Sequence, residues 1–142
     1  MHALVLDATT FTLTERPGPT PGAHEVLVDV VATGLNAADL LQRRGLYPAP
    51  AGWPQDIPGL ELAGTVAAVG EHVDPSLVGS RVCAIVGGGA FATQALVPAA
   101  HLIPVPDSAS DVEAGGFAEV FLTAFDALVV QADQAWKSKK RW

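Results

Sequence analysis

Short β-favouring runs, separated by glycine and proline, fill the first hundred residues of this 142-residue chain. Strands that recur at such short intervals, with turn residues between them, are typical of a barrel or a sandwich. From Glu25 onward, Val26 and Val28 share one face of a predicted strand that becomes wholly apolar further on. We therefore expect a mainly β fold. The predicted strands, of which the first two form a hairpin, are 3–7, 11–15, 25–34, 61–70, 81–86, 91–97 and 101–106.

A first helix is predicted over residues 36–44. Leu40 and Leu41 would face the protein interior, while Gln42 and the arginines after it would face outward. Gly45 follows directly and is a typical helix stop.

A second helical region is predicted after residue 107. Ser110 and Glu113 have the spacing of a capping box, and the run 119–132 continues with helical periodicity. The chain thus divides into a barrel over 1–107 and a helical segment over 108–132. One predicted helical stripe in this segment carries Phe121, Phe125 and Leu128.

The charge distribution excludes some partners and sets off the last residues. Eight basic against 15 acidic residues give a net charge of −7, which argues against a nucleic-acid partner. No apolar run approaches the ~20 residues of a membrane span, so we expect a cytoplasmic protein without a membrane partner. No lysine precedes Lys137, and residues 133–142 are an atypical basic tail that we expect to be disordered.

Three features that suggest chemistry have simpler interpretations. The single cysteine, Cys83, lies in an apolar run and is predicted to be buried, and the four histidines lack the spacing of a metal site. The run "GGGAFA" at 87–92 fits the spacing of a dinucleotide-binding loop. However, β-favouring residues follow it and Pro98 would cut short any helix, so the run predicts a glycine-rich hairpin.

Asn36, Asp39 and Tyr47 bracket the first predicted helix. Asn36 is a good N-cap, and Asp39 in the first turn suits the helix dipole. Tyr47 could be an amphipathic surface aromatic. Composition and spacing leave open whether these three residues are structural or face a ligand together.

Four separated motifs resemble, in order and spacing, the N-terminal half of medium-chain dehydrogenase/reductases. The similarity covers about residues 1–131 and is greatest to the zinc-free, zeta-crystallin-like quinone oxidoreductases. It implies a GroES-like, partly open β-barrel with a few short helices. A complete family member continues into a Rossmann domain, which we expect to be absent here. The motifs are "GLNAADLLQRRGLYPAP", "IPGLELAGTVAAVG", "GGGAFATQALVP" and "FAEVFLTAFDAL".

The resemblance implies hydride transfer from NADPH to a quinone or a similar electron-poor carbonyl compound. Two alternatives are an enone or enoyl reductase of the same superfamily and a non-catalytic GroES-like binding module. Asn36 and Leu60 stand where zinc-dependent relatives place a cysteine and a histidine, so we expect no zinc. We also expect the short chain alone to be inactive, as a truncated enzyme, and to self-associate through its exposed C-terminal helix.

The same resemblance assigns roles to individual residues. It gives Tyr47 and Asn36 to catalysis, and it gives Asn36, Asp39 and Thr123 to cofactor binding. Glu61 in "PGLELAG" is expected to be buried and paired within the fold, and not to be catalytic.

Overall fold

The computed structural model describes residues 1–133 of the chain. Within this range, seven strands and three α-helices make up the regular structure, together with short 3-10 turns at Pro75–Leu77 and Ala99–His101 and a π-helical segment at Asp126–Gln131. The strands are β1 His2–Asp7, β2 Thr10–Glu15, β3 Glu25–Ala32, β4 Glu61–Val69, β5 Arg81–Ile85, β6 Gln94–Pro98 and β7 Ile103–Pro104. The helices are α1 Ala37–Arg43, α2 Asp111–Gly115 and α3 Ala118–Phe125.

Two antiparallel sheets form a partly open β-barrel, as predicted. The larger sheet has the order β6-β3-β4-β5-β7, and β1 pairs with β2 in the predicted hairpin. The hairpin is attached to the rest by a bridge between Ala3 and Ala92 and by the amides of Leu4 and Leu6. These amides donate to the carbonyls of Phe91 and Asp56, both at 2.8 Å.

The main core lies on one face of the larger sheet. Val26 and Val28 are fully buried on β3, and both lie opposite small or branched apolar residues of β4 and β6, as their alternation predicted. The opposite face of β4 and β5 is covered by α2, whose Gly115 approaches Ala32 so closely that a Cβ would overlap it. The main cluster comprises Val26, Val28, Leu62, Val66, Val73, Val82, Ala84, Val86, Ala90, Ala95 and Val97.

One predicted hairpin and two predicted strands differ from the structure. The "GGGAFA" segment is not a hairpin, because β5 and β6 are not neighbours and the segment runs between them across the sheet. The predicted strand 101–106 shrinks to Ile103–Pro104 after a 3-10 turn. The strand predicted to enter the core over 25–34 ends at Ala32, and its Val31 is exposed.

The inward face of α1 was predicted wrongly. Asp39 and Gln42 are its buried residues, whereas Leu40 and Leu41 are exposed. Asp39 is drawn inward because its carboxylate caps the helix start at Asn36, and Gln42 follows it on the same face at the i+3 position.

The helical region after residue 107 begins with the predicted capping box. The Ser110 hydroxyl accepts from the Glu113 amide, and the Glu113 carboxylate accepts from the Ser110 amide at 2.8 Å. Helical structure extends through Asp133. The rest of the predicted basic tail, 134–142, lies outside the described residues. No helix within the described part of the chain is long and apolar enough to cross a membrane.

Candidate functional site

The candidate site lies at one end of the larger sheet. β3 and β4 are antiparallel, with Ala32 opposite Ala63, so the chain leaves β3 beside the point where it enters β4. The segment that leads into α1 therefore passes directly over Glu61, the first residue of β4. The first turn of α3 reaches the same place through the backbone of Glu119.

Asn36 both precedes α1 and contacts the sheet. Its backbone is extended, and its main-chain amide donates to Asp39 Oδ2 at 2.7 Å. Its side-chain Nδ2 donates instead to Glu61 Oε1 at 2.9 Å. Asn36 therefore forms part of the capping box of α1 and at the same time contacts a second element.

Asp39 is almost completely buried, with 4% of its surface exposed. Burial raises the pKa of its carboxyl, and the charge of Glu61 raises it further, while the amides of Asn36 and Gly59 act in the opposite direction. Within residues 1–133, no donor lies within the usual distance and angle limits of a hydrogen bond to Asp39 Oδ1. The side chain is too enclosed to present itself to a ligand, so it contacts the site through Asn36.

Glu61 is more buried still, at 1% exposed, as expected from the sequence. Its Oε2 accepts from the Glu119 amide at 3.0 Å, and its carbonyl accepts from the Thr33 hydroxyl at 2.6 Å. Burial raises the pKa of Glu119, and the charges of Glu61 and Asp39 add to the effect. The contact between Glu61 and Asn36 was not anticipated. An acid within the apolar run "GLELAG" was the available signal, because buried carboxylates need partners.

Tyr47 lies beyond the opposite end of α1. Gly45, at φ +69°, turns the chain out of the helix, and the Tyr47 side chain is 45% exposed. It lines a small cleft of about 40 Å³ together with Gln42 and Pro58. Its hydroxyl has no hydrogen bond to any residue in the described range 1–133, and none joins it to Asn36.

Thr123 lies on α3, one turn after Glu119, and is exposed. Within the described part of the chain its hydroxyl forms no hydrogen bond. Of the predicted site residues, the structure thus brings Asn36 and Asp39 together, and it leaves Tyr47 and Thr123 exposed on separate elements.

Metal-ligating side chains do not converge within residues 1–133 in a group of three or more. The rings of His24 and His72, distant in sequence, do meet at a centroid distance of 5.0 Å. Cys83 is buried as predicted, and burial raises the pKa of its thiol, so the unreactive neutral form is favoured.

Comparison with known proteins identifies the family. Residues 22–107 match the alcohol dehydrogenase GroES-like domain, and the chain belongs to this family. This confirms the prediction of a GroES-like domain from the N-terminal part of the medium-chain dehydrogenase/reductase superfamily.

One curated relative is a much longer protein. The chain is 42% identical over 108 residues to a phenolphthiocerol/phthiocerol polyketide synthase protein of Mycobacterium tuberculosis. The alignment covers 76% of the chain but 5% of that protein.

Two solved structures share the fold over nearly the whole chain. The human synaptic vesicle membrane protein VAT-1 homolog-like protein superposes with a TM-score of 0.85 at 33% identity. The superposition covers 93% of this chain and 44% of the human protein. The quinone oxidoreductase of Thermus thermophilus, known also in complex with NADPH, superposes with a TM-score of 0.75 at 37% identity. That match covers 90% of this chain and 40% of the quinone oxidoreductase.

Proposed function

We propose that this chain is the substrate-side domain of an NADPH-dependent oxidoreductase that reduces quinones or similar electron-poor carbonyl compounds. The observation that carries the proposal is the pair of polar groups at the two ends of α1. Asn36 is half-buried and held in place, and Tyr47 presents a phenol with no hydrogen bond within residues 1–133. Similarity to an NADPH-binding quinone oxidoreductase supports this reading of the pair.

The polar groups of the site fit the nicotinamide end of such a cofactor. Nδ2 of Asn36 carries two hydrogens, and Glu61 accepts one of them, so a second donor remains for the carboxamide of the ring. Thr123 adds an exposed hydroxyl on α3. NADPH, when bound, supplies the hydride. The Tyr47 phenol then donates a hydrogen bond to the substrate oxygen that gains negative charge.

Reduction of an enone or an enoyl intermediate is the second candidate. The same donors would stabilise an enolate oxygen as readily as a quinone oxygen, because both carry developing negative charge. The 42% identity to a polyketide synthase protein favours this alternative.

A two-domain protein tests the proposal. Residues 1–131 would be fused to the dinucleotide-binding domain of the Thermus thermophilus quinone oxidoreductase. NADPH oxidation would then be measured with a 1,4-benzoquinone and with a simple cyclic enone. We expect the quinone to be the faster substrate. Enone reduction at the higher kcat/KM would favour the second candidate, and activity with neither compound would leave the domain as a binding module.

Two substitutions in the fusion test the residues. We expect Tyr47→Phe and Asn36→Ala each to lower kcat about tenfold or more, as for the loss of a donor to a developing oxyanion. Gln94→Ala is the matched control, because Gln94 lies on the edge strand β6 and its carboxamide donates to Asp29 on β3 rather than to a residue of the site. Undiminished kcat in both site variants would contradict the assigned roles.

The 142-residue chain alone gives a further check. Its proposed contacts reach one end of the cofactor, and no glycine loop that opens a helix was found for the pyrophosphate within residues 1–133. We therefore expect no tight NADPH binding and no turnover. Micromolar affinity in calorimetry would contradict this expectation.

A further inference from the structure

Glu61 is a buried carboxylate without a cationic partner within the described residues. The ion pairs formed within residues 1–133 join Arg16 to Asp56 and Arg81 to Asp111, and neither reaches Glu61. A carboxylate with 1% of its surface exposed is costly to bury unless hydrogen-bond donors replace its water. The hydrogen-bond donors around Glu61 therefore indicate its role in the fold.

Those donors come from two different elements. Oε1 accepts from the Asn36 side chain at 2.9 Å, and Oε2 accepts from the Glu119 amide at 3.0 Å. The Glu119 amide is one of the first in α3, where amides have no acceptor inside the helix. One carboxylate thus joins the segment before α1 to the first turn of α3.

The chain path fixes the position of this carboxylate. A Cβ at Gly34 would overlap Glu61 Oε1, so the absence of a side chain there makes room for the acid. The main chain of Glu61 is held as well, because the Thr33 hydroxyl donates to its carbonyl at 2.6 Å. The acceptor that faces Asn36 is therefore held on both its side chain and its backbone.

A fixed carboxylate determines which way the Asn36 amide is turned. Both carboxylate oxygens of Glu61 accept hydrogen bonds, so the group that faces Oε1 is the NH2 of Asn36 rather than its carbonyl. The main-chain amide of Asn36 is tied to Asp39 at the same time. The second hydrogen of Nδ2 consequently has a defined direction, and no residue in the described part of the chain accepts it.

We propose that Glu61 is a positioning residue. It orients the Asn36 carboxamide so that one amide hydrogen faces the ligand, and it ties that orientation to α3, the helix that carries Thr123. The catalytic consequence rests on the proposed function of Asn36, whereas the contact itself does not.

Nuclear magnetic resonance of the 142-residue chain tests the contact. Asn36 is the sole asparagine of the chain, so isotope labelling of asparagine alone assigns its side-chain amide signals unambiguously. We expect Glu61→Gln to shift these signals and the backbone amide of Glu119 while most other signals stay in place. Glu113→Gln is the matched control, since the Glu113 carboxylate also accepts a hydrogen bond from a backbone amide at the start of a helix, here α2. It should leave both sets of signals unchanged.

The wild-type chain provides a measurement that needs no variant. The Asn36 side-chain proton that is bonded to Glu61 should show a smaller temperature coefficient than the second proton of the same amide, which has no acceptor within residues 1–133. Equal coefficients, or a folded Glu61→Gln variant with unshifted Asn36 signals, would overturn the proposal.

Kinetics of the two-domain fusion test the consequence. If Glu61 acts through Asn36, Glu61→Gln and Asn36→Ala should each lower kcat by a similar factor, about tenfold or more. The double variant should be no slower than either single variant, as expected for residues that act as a unit. Factors that multiply would show independent roles and overturn the proposal. Full activity of Asn36→Ala would instead refute the proposed role of Asn36, and the resonance data would still decide the contact.

Discussion

Asp39 shows how the site accommodates negative charge. Three acids, Asp39, Glu61 and Glu119, lie close enough to influence one another, and burial raises the pKa of Asp39 and of Glu119. Their donors are amides rather than cations: Asn36 donates to Asp39 and to Glu61, and Glu119 donates its backbone amide to Glu61. The charge of Asp39 therefore opposes folding, whereas its hydrogen bond to Asn36 favours it.

This balance predicts a pH dependence for Asp39→Asn, a change that keeps an acceptor for the Asn36 amide. The pKa of Asp39 is raised on folding, so its contribution to stability is fully present below the unfolded value and is lost as pH rises through the folded value. The wild type should therefore gain stability relative to the variant as pH falls from 7 to about 4. Urea unfolding of both proteins at several pH values measures this.

Asp74→Asn serves as the control of opposite sign. The backbone amide and the side chain of Ser76 lower the pKa of Asp74, so its contribution is present above the unfolded value and lost as pH falls through the folded one. The wild type should lose stability relative to Asp74→Asn as pH falls below about 4, with little change between pH 7 and about 4. A stability difference for Asp39→Asn that is constant with pH would contradict the raised pKa.

At the scale of the elements, local sequence patterns correctly predicted the features that local interactions determine. The β1–β2 hairpin, the alternation of Val26 and Val28, and the start of α2 follow from turn residues, periodicity and capping. The inward face of α1 did not follow. Leu40 and Leu41 are exposed because the contacts of Asn36 with Asp39 and Glu61 orient the helix. The contact with Glu61 joins residues 25 positions apart, which no local pattern records.

The candidate site, too, combines contacts that are predictable from local sequence with contacts that are not. The pairing of Asn36 with Asp39 was predictable from the spacing of a helix start. The contact of Glu61 with the Glu119 amide depends on a separation of 58 residues, and only the burial of an acid in "GLELAG" indicated it. The path of "GGGAFA" was missed for a related reason, since strand order is set by packing of the whole sheet.

The capping box of α2 gives a stability prediction at this scale. Ser110→Ala removes the hydroxyl that accepts from the Glu113 amide and should lower the free energy of unfolding by about 1 kcal/mol. Ser108→Ala, at an exposed position two residues earlier, should change it by less than about 0.5 kcal/mol. Urea unfolding of both variants compares them. Equal effects would mean that the cap does not stabilise α2.

On the scale of the whole molecule, a large exposed apolar surface lies on the last helical segment. Phe121, Phe125 and Leu128 are 58%, 56% and 74% exposed, and the ring of Phe121 stacks on Phe117 at 4.4 Å. All three residues of the predicted stripe are exposed, as is every residue from 120 to 133. The chain spans under half the length of the two solved relatives compared above. A large exposed apolar patch of this kind is typical of an interaction surface.

We propose that this surface joins two copies of the 142-residue chain. Burying three such side chains stabilises an interface by roughly 1.5–3 kcal/mol each before the cost of association is subtracted. Phe121→Ser together with Phe125→Ser should therefore shift the sedimentation coefficient towards that of a monomer. Leu13→Ser is the matched control, because Leu13 is 68% exposed on β2, away from the helix, and its loss should leave association unchanged. A wild-type chain that sediments as a monomer at high concentration would contradict the proposal, as would equal effects of the helix and hairpin variants.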